Sequence, residues 1–204
     1  MRVALFGSTR GVGRQILLRA GDAGFGVKAL ARNIQSIPEV PGVELVEGNV
    51  LDPGAVFRTA TGCDSVIIAL GNTKQNPDYV VSSGTEIILQ VMKKLGISRV
   101  VAISSLGVGD SHDSVPVFFK LLMNTVLKKT MRDKERQEAL LRESGLDWTV
   151  IRPAGLVDGE PSGSARWGTG PDVNASRVTR ADVAMFALQE LKNAEYLRRT
   201  PWIT

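Results

Sequence analysis

The stretch "GSTRGVGRQI", residues 7–16, decides how the rest of this chain is read. It follows the apolar run Val3-Ala4-Leu5-Phe6 directly and carries Gly7, Gly11 and Gly13 in the spacing G-x-x-x-G-x-G. Strand, glycine turn and amphipathic helix, in that order, open a βαβ unit. Gly7 lets the chain leave the strand sharply. Gly11 and Gly13 keep side chains away, so a pyrophosphate can approach backbone N–H groups at the helix N-terminus. The same glycines would also serve a purely structural turn; their place behind the first strand favours the phosphate loop.

Outward from this loop, apolar runs and amphipathic stretches alternate. Val3–Phe6 reads as a strand and Val12–Ala23 as a helix with Ile16, Leu17 and Ala20 on one face. Strands follow at Val27–Ala31 and Val43–Val46, and a short helix starts at Pro53, a residue suited to a first helical turn. "SVIIAL" (65–70) and "RVVAIS" (99–104) are continuous apolar runs, as expected of strands buried on both faces. A helix over Ser83–Leu95 stops at Gly96, and a long helical region over Pro116–Ser144 stops at Gly145. "WTVI" (148–151) is a strand closed by Pro153, residues 154–178 an irregular excursion, Asp182–Leu191 a last helix, and the tail "YLRRTPWIT" an edge strand. This alternation predicts an α/β fold: a doubly wound parallel sheet of the Rossmann type, in a single domain over residues 1–204.

Composition excludes several classes. With 204 residues, 43% hydrophobic and 23% charged, the chain reads as one ordinary globular domain. No run approaches the ~18–20 apolar residues of a membrane span. The strand-like run begins right after Met1-Arg2, so no targeting segment is expected and the location expected is cytoplasmic. Cys63 is the single cysteine, which removes an internal disulfide and a cysteine zinc site and suits a small core thiol. His112, the single histidine, lies in "GDSHDS", either solvated or at a pocket mouth; no metal site is expected. The net charge of +4 suits an anionic partner, and a dinucleotide phosphate satisfies it as well as nucleic acid does. The basic cluster Lys128–Arg136 is interspersed with Asp133 and Glu135 and reads as a solvated helix face.

Dinucleotide choice is set at the end of the second strand. An NAD site usually places an acid there, about 20 residues past the loop, against the ribose 2′-OH. This chain has Arg32-Asn33, and Arg10 inside the loop. Two guanidiniums suit a 2′-phosphate, which favours NADP(H), although both could be ordinary surface charges. "GNV" (48–50) offers Asn49 and Val50 to adenine, "ALGN" gives a glycine-bearing loop by the ribose, and Ser104 and Ser105 end the fifth strand.

Gly7-x3-Gly11-x-Gly13, "GNV", "VVAISS" and "EALLRESGLDWTVIRPAGL" together resemble the atypical short-chain dehydrogenases/reductases, and within them the flavin reductase / biliverdin-IXβ reductase (biliverdin reductase B) family. The resemblance spans roughly the whole chain. It implies a monomeric NADPH-dependent reductase with an open, shallow site above the nicotinamide. It implies that Gly7, Thr9, Arg10, Gly11, Val12 and Gly13 hold the pyrophosphate, Arg32 the 2′-phosphate, and that Asn49 and Val50 flank adenine. Leu70 and Gly71 would line the ribose, Ser104 and Ser105 would sit by the nicotinamide, and Pro153, Ala154, Gly155 and Leu156 would wrap its carboxamide.

Two departures narrow the chemistry. Short-chain dehydrogenases use Tyr-x-x-x-Lys to pass a proton. Lys134 stands at a plausible cofactor-side place, but the residue four earlier is Thr130; a solvated helix lysine is the other reading. Tyr79 and Tyr196 lie far away in sequence. The family's second basic residue after Arg32 is also missing, with Ile34, Gln35 and Ser36 in its place. An alkoxide needs a positioned acid, whereas a flavin or linear tetrapyrrole spreads the incoming charge over a conjugated system. Stacking and proximity then carry the reaction, with Ser105 the expected catalytic residue orienting acceptor or carboxamide. Residues 107–117 and 158–172 would form the rim, with Trp167 either stacking on a flat ring or packing locally. The small-molecule acceptor is the expected partner, with neither nucleic acid nor membrane. An NmrA-like sensor or scaffold without turnover is the alternative; a sugar-nucleotide epimerase is disfavoured by the absent tyrosine.

Overall fold

The apolar runs become strands of one sheet in a computed structural model that describes residues 1–73, 78–114, 127–170, 173 and 176–204. In chain order the elements are β1 (Arg2–Phe6), α1 (Gly11–Arg19), β2 (Gly26–Ala31), β3 (Val43–Glu47), α2 (Pro53–Ala60), β4 (Ser65–Ile68), α3 (Val80–Leu95) and β5 (Arg99–Ile103). They continue with α4 (Lys128–Glu143), β6 (Asp147–Pro153), β7 (Gly155–Val157), β8 (Trp167–Gly168), β9 (Arg177–Thr179), α5 (Arg180–Asn193) and β10 (Trp202–Ile203). The main sheet runs β3-β2-β1-β4-β5-β6-β10-β8, parallel throughout except where β10 meets β8. The order reverses between β1 and β4, which opens a crevice at the carboxyl edge there.

Successive strand residues point to opposite faces, so each buried run feeds two cores. Val3, Leu5, Ile67 and Val101 pack with Ile16 and Leu17 of α1 and Val183 and Phe186 of α5. Ala4, Phe6, Val66 and Val100 pack with Val56 of α2, Ile88 and Met92 of α3, and Leu141 of α4.

Polar contacts set the helix ends. α1 ends at Arg19, short of the expected Ala23, because the Phe25 amide donates to Ala20 and Gly24 turns the chain at φ +81°. α3 begins at Val80, before the expected Ser83. Its N-cap is Tyr79, which gives no side-chain cap. A carboxylate from another helix does the capping: buried Asp133 of α4 accepts from the amides of Ser82 (2.8 Å) and Val81 (3.0 Å) and from Asn72 Nδ2 (3.1 Å). One turn on, Gln137 Nε2 donates to Thr85 Oγ1 at 3.0 Å. The stretch Lys128–Arg136 is therefore not a uniformly solvated face, because Asp133 is needed inside.

Other expectations shift as well. Residues 154–178 contain the short strands β7, β8 and β9, and β7 pairs with β9 apart from the main sheet. The tail strand is internal: β10 lies between β6 and β8, fastened by exchanged backbone hydrogen bonds between Thr204 and Arg166, so β8 is the edge. The first part of the helix expected over Pro116–Ser144, residues 116–126, lies outside the described residues; α4 ends as expected, with Gly145 at φ +75°.

Asp133→Ala would leave two helix amides and the Asn72 carboxamide without their acceptor. The expected cost is about 2–3 kcal/mol, read as a fall in Tm of about 4–12 °C. A change below ~2 °C would mean that water replaces the carboxylate at α3.

Candidate functional site

The β1–α1 turn admits no side chain at Gly7 or Gly13. At Gly7 (φ +95°) an added Cβ would lie 2.4 Å from the Ala69 carbonyl oxygen, and at Gly13 2.0 Å from that of Gly7. Ser8 Oγ ties the turn to β2 through the Leu30 carbonyl at 3.1 Å. α1 starts behind Arg10, which is extended and makes no side-chain cap, and its first turn holds no acidic residue. Among the described residues the opening amides of α1 thus have no side-chain cap. A glycine-lined hollow with unfilled N–H donors at a helix N-terminus fits a phosphate group. Thr9 and Arg10 are exposed beside it, and Arg32 is exposed at the end of β2. Neither arginine makes an ion pair among the described residues.

The next strand ends supply an apolar floor. Val50 and Leu70 converge on Gly84 of α3, where an added Cβ would lie 2.9 Å from Val50 Cγ2 and 3.0 Å from Leu70 Cδ1. Gly84 was not singled out from the sequence; a glycine inside the helical run "VVSSGTEIIL" was the available signal. Asn49 is exposed, and its Oδ1 accepts from the Leu51 amide at 3.1 Å, which engages its oxygen and not its Nδ2 donors. Gly71 is exposed after β4.

At the end of β5 the structure builds a buried network that sequence reading missed. Ser104 Oγ donates to Glu138 Oε1 at 2.7 Å. Glu138, fully buried on α4, accepts from Arg152 Nε (3.1 Å) and Nη2 (2.7 Å) of β6 and from Arg142 Nη2 (2.7 Å). Arg152 Nη1 reaches on to Asp110 at 2.6 Å. Burial opposes the Arg152 charge, but the hydrogen bonds to Glu138 and Asp110 outweigh it and raise its pKa. The Ser104 hydroxyl expected by the nicotinamide is therefore committed to α4. Ser105 Oγ is half-buried and donates to the Leu106 carbonyl at 3.1 Å. The one sequence signal was an arginine inside the buried run "WTVIRP".

Lys134 turns inward. Its Nζ donates to the Ile103 carbonyl at 3.1 Å, at the carboxyl end of β5 and one residue before Ser104. Burial pushes its pKa down to about 8, against the opposing pull of Glu138 and Asp133. Neither tyrosine joins it. Tyr79 lies under the Arg136 guanidinium, 4.3 Å from ring centroid to Cζ, in a surface groove with Ser83 and Glu86. Arg136 is two residues from Lys134 and so about 200° around α4. Tyr196 meets Phe186 edge-on at 5.9 Å on the other side of the sheet.

Of the remaining expected residues, Pro153 is buried and accepts from the Leu106 amide at 2.9 Å, the Gly155 amide donates to Ser176 at 3.1 Å, Ala154 is half-buried, and Leu156 is exposed. Trp167 stacks on Phe186 at 4.9 Å, which is local packing. His112 falls in the turn Gly109–Ser114. Buried Cys63, its thiol pKa raised by burial, contacts the Thr59 carbonyl. Among the described residues no helix is long and apolar enough to cross a membrane.

Lys134 gives a signed pH dependence. Its native pKa near 8 lies below its ordinary 10.5. Below pH 8 the ammonium is charged in both states, and the cost of burying it is fully present. Between about pH 8 and 10.5 the unfolded chain keeps a proton that the native state has shed, so stability rises with pH. Lys134→Met should remove that rise, seen as a wild-type-minus-variant difference that grows from pH 7 to 10 in urea unfolding. Parallel profiles would show an ordinary, solvated ammonium.

A model of NAD(P)H-binding proteins matches residues 7–194. The photosystem II assembly factor Ycf39 of Cyanophora paradoxa is 25% identical, over 94% of this chain and 59% of that protein. The (4-alkanoyl-5-oxo-2,5-dihydrofuran-3-yl)methyl phosphate reductase of Streptomyces griseus is 27% identical, over 88% of this chain and 54% of that protein. The chain thus spans little more than half the length of these curated relatives. The crystal structure of ChuY, an anaerobillin reductase from Escherichia coli O157:H7, superposes with a TM-score of 0.83 at 27% identity, covering 100% of this chain and 96% of that one. Matched from the glycine turn through the end of α5, the chain belongs to the NAD(P)H-binding family.

Proposed function

We propose that this chain is an NADPH-dependent reductase whose acceptor is a flat conjugated molecule, a flavin or a biliverdin-type tetrapyrrole. The observation that carries the reading is the chemistry at the end of β5: an inward lysine and a serine, with no phenol beside them. Bound at the glycine turn, a reduced nicotinamide supplies the hydride. The chain supplies position. The α1 amides and Arg10 hold the phosphates, Arg32 meets the 2′-phosphate, and Val50 and Leu70 form the apolar floor. Ser105 orients the acceptor or the carboxamide. Lys134, braced by Ile103, fixes the strand end on which Ser105 sits. An acceptor that delocalises charge needs no strong acid, which suits a site without the tyrosine of ordinary dehydrogenases. The likeness to two reductases supports turnover. The likeness to an assembly factor favours a second reading, a dinucleotide-dependent scaffold.

Oxidation of NADPH, followed by loss of nicotinamide absorbance with FMN, riboflavin or biliverdin, separates the two. Wild type should turn over at least one acceptor. Arg32→Ala should raise the NADPH KM by about 10–100-fold, the worth of one charge-assisted contact, with kcat and the NADH KM little changed. NADPH binding with no acceptor reduced would leave the scaffold reading in its place.

A further inference from the structure

The geometry points to Arg180 as a ligand of the dinucleotide phosphates, held between cofactors by Asp158. This rests on the dinucleotide occupying the glycine turn and is independent of the acceptor. Arg180 opens α5, the helix that lies along α1. An added Cβ at Gly11 (φ +56°) would lie 3.9 Å from Arg180 Nε, the nearest atom from another element among the described residues. The guanidinium therefore borders the phosphate turn from a different element than Arg10 or Arg32.

Its base is fixed. Thr179 caps α5 by accepting from the Asp182 amide at 3.0 Å, and buried Asp182 takes the Ser162 amide at 3.0 and 3.1 Å. Its head is lightly held. Nη1 donates to Asp158 Oδ1 at 2.9 Å, and this is its one hydrogen bond among the described residues. Arg180 is 27% exposed and Asp158 90% exposed, so the cation is packed in place while its counter-ion stands in water. Such a pair contributes little by itself. A guanidinium has five N–H donors, and one bond to Asp158 leaves the others for an anion. The opening amides of α1 and the Arg180 guanidinium thus both lie at the Gly11 end of the turn, on two different elements. A pyrophosphate there would draw on both, with Asp158 opposing it by like charge.

A plain loop tie makes a different prediction. If Arg180 only anchored residues 158–162, losing either partner would have the same effect. As a phosphate ligand, Arg180 and Asp158 act with opposite signs. Calorimetric titration with NADPH, NADH and adenosine 2′-phosphate decides between them, with thermal melts checking that each variant folds. Arg180→Gln should weaken NADPH and NADH by the same factor, about tenfold, because both carry the pyrophosphate. It should leave adenosine 2′-phosphate unchanged. Asp158→Asn should tighten both dinucleotides about two- to fivefold, and Arg180→Lys should lose less than Arg180→Gln. Unchanged binding in Arg180→Gln, or matching losses in Arg180→Gln and Asp158→Asn, overturns the assignment. Wild type that binds neither dinucleotide would instead overturn the occupancy of the glycine turn, on which the assignment depends.

Discussion

The contact between Gly13 and the Gly7 carbonyl governs this molecule. No side chain fits at either residue, so the first turn of α1 lies directly against the end of β1 and the start of the β4 loop. That approach fixes the angle at which α1 crosses the sheet. It aims the helix amides at the crevice between β1 and β4, and it sets the surface along which α5 packs. Glycine carries an entropic cost of roughly 0.5–1 kcal/mol per residue relative to alanine. Here that cost goes with a close approach of helix to strand that no side-chain-bearing residue could make.

A second constraint runs along the inward face of α4. Asp133, Lys134, Gln137 and Glu138 fall within little more than one turn and find partners on three elements: the start of α3, the end of β5, a later turn of α3, and β6. Buried charges are costly unless paired and hydrogen-bonded, so this face fits in one register only. A slide of α4 by one residue would strand two carboxylates and an ammonium. An apolar face would tolerate such a slide far better. The same polar seam that fixes α4 therefore also fixes Lys134 and the end of β5, where the acceptor would be met.

The sheet and the tight glycine turn behind β1 were legible because their signals are local. Continuous β-branched runs mean strands buried on both faces, and glycine spacing behind the first of them means a tight turn. The acceptor side was less legible. In "RDKERQE" each residue is charged or amidic, and periodicity assigns such residues to solvent. Which of them turn inward depends on Val81, Ser82, Thr85, Ile103 and Arg152, residues about 15 to 50 positions away whose placement only the finished fold provides. The tail failed for another reason. A strand of two residues, Trp202–Ile203, has no periodicity to read, and its internal place follows from pairing with β6 and β8.

The two ends of the site are thus built from different physics. The phosphate end is steric and made of backbone, and almost any substitution at Gly7 or Gly13 collides with a carbonyl. The β5 end is made of polar side chains: Ser104 and Arg152 bind Glu138, Arg152 reaches Asp110, and Lys134 donates to the Ile103 carbonyl. Side-chain networks can be exchanged as sets, whereas a backbone collision cannot be relieved by a distant partner. Relatives that match most of this chain include both reductases and an assembly factor, so the fold alone does not fix the activity. In this chain the charged groups between β5 and α4 lie beside a lysine, and neither tyrosine joins it.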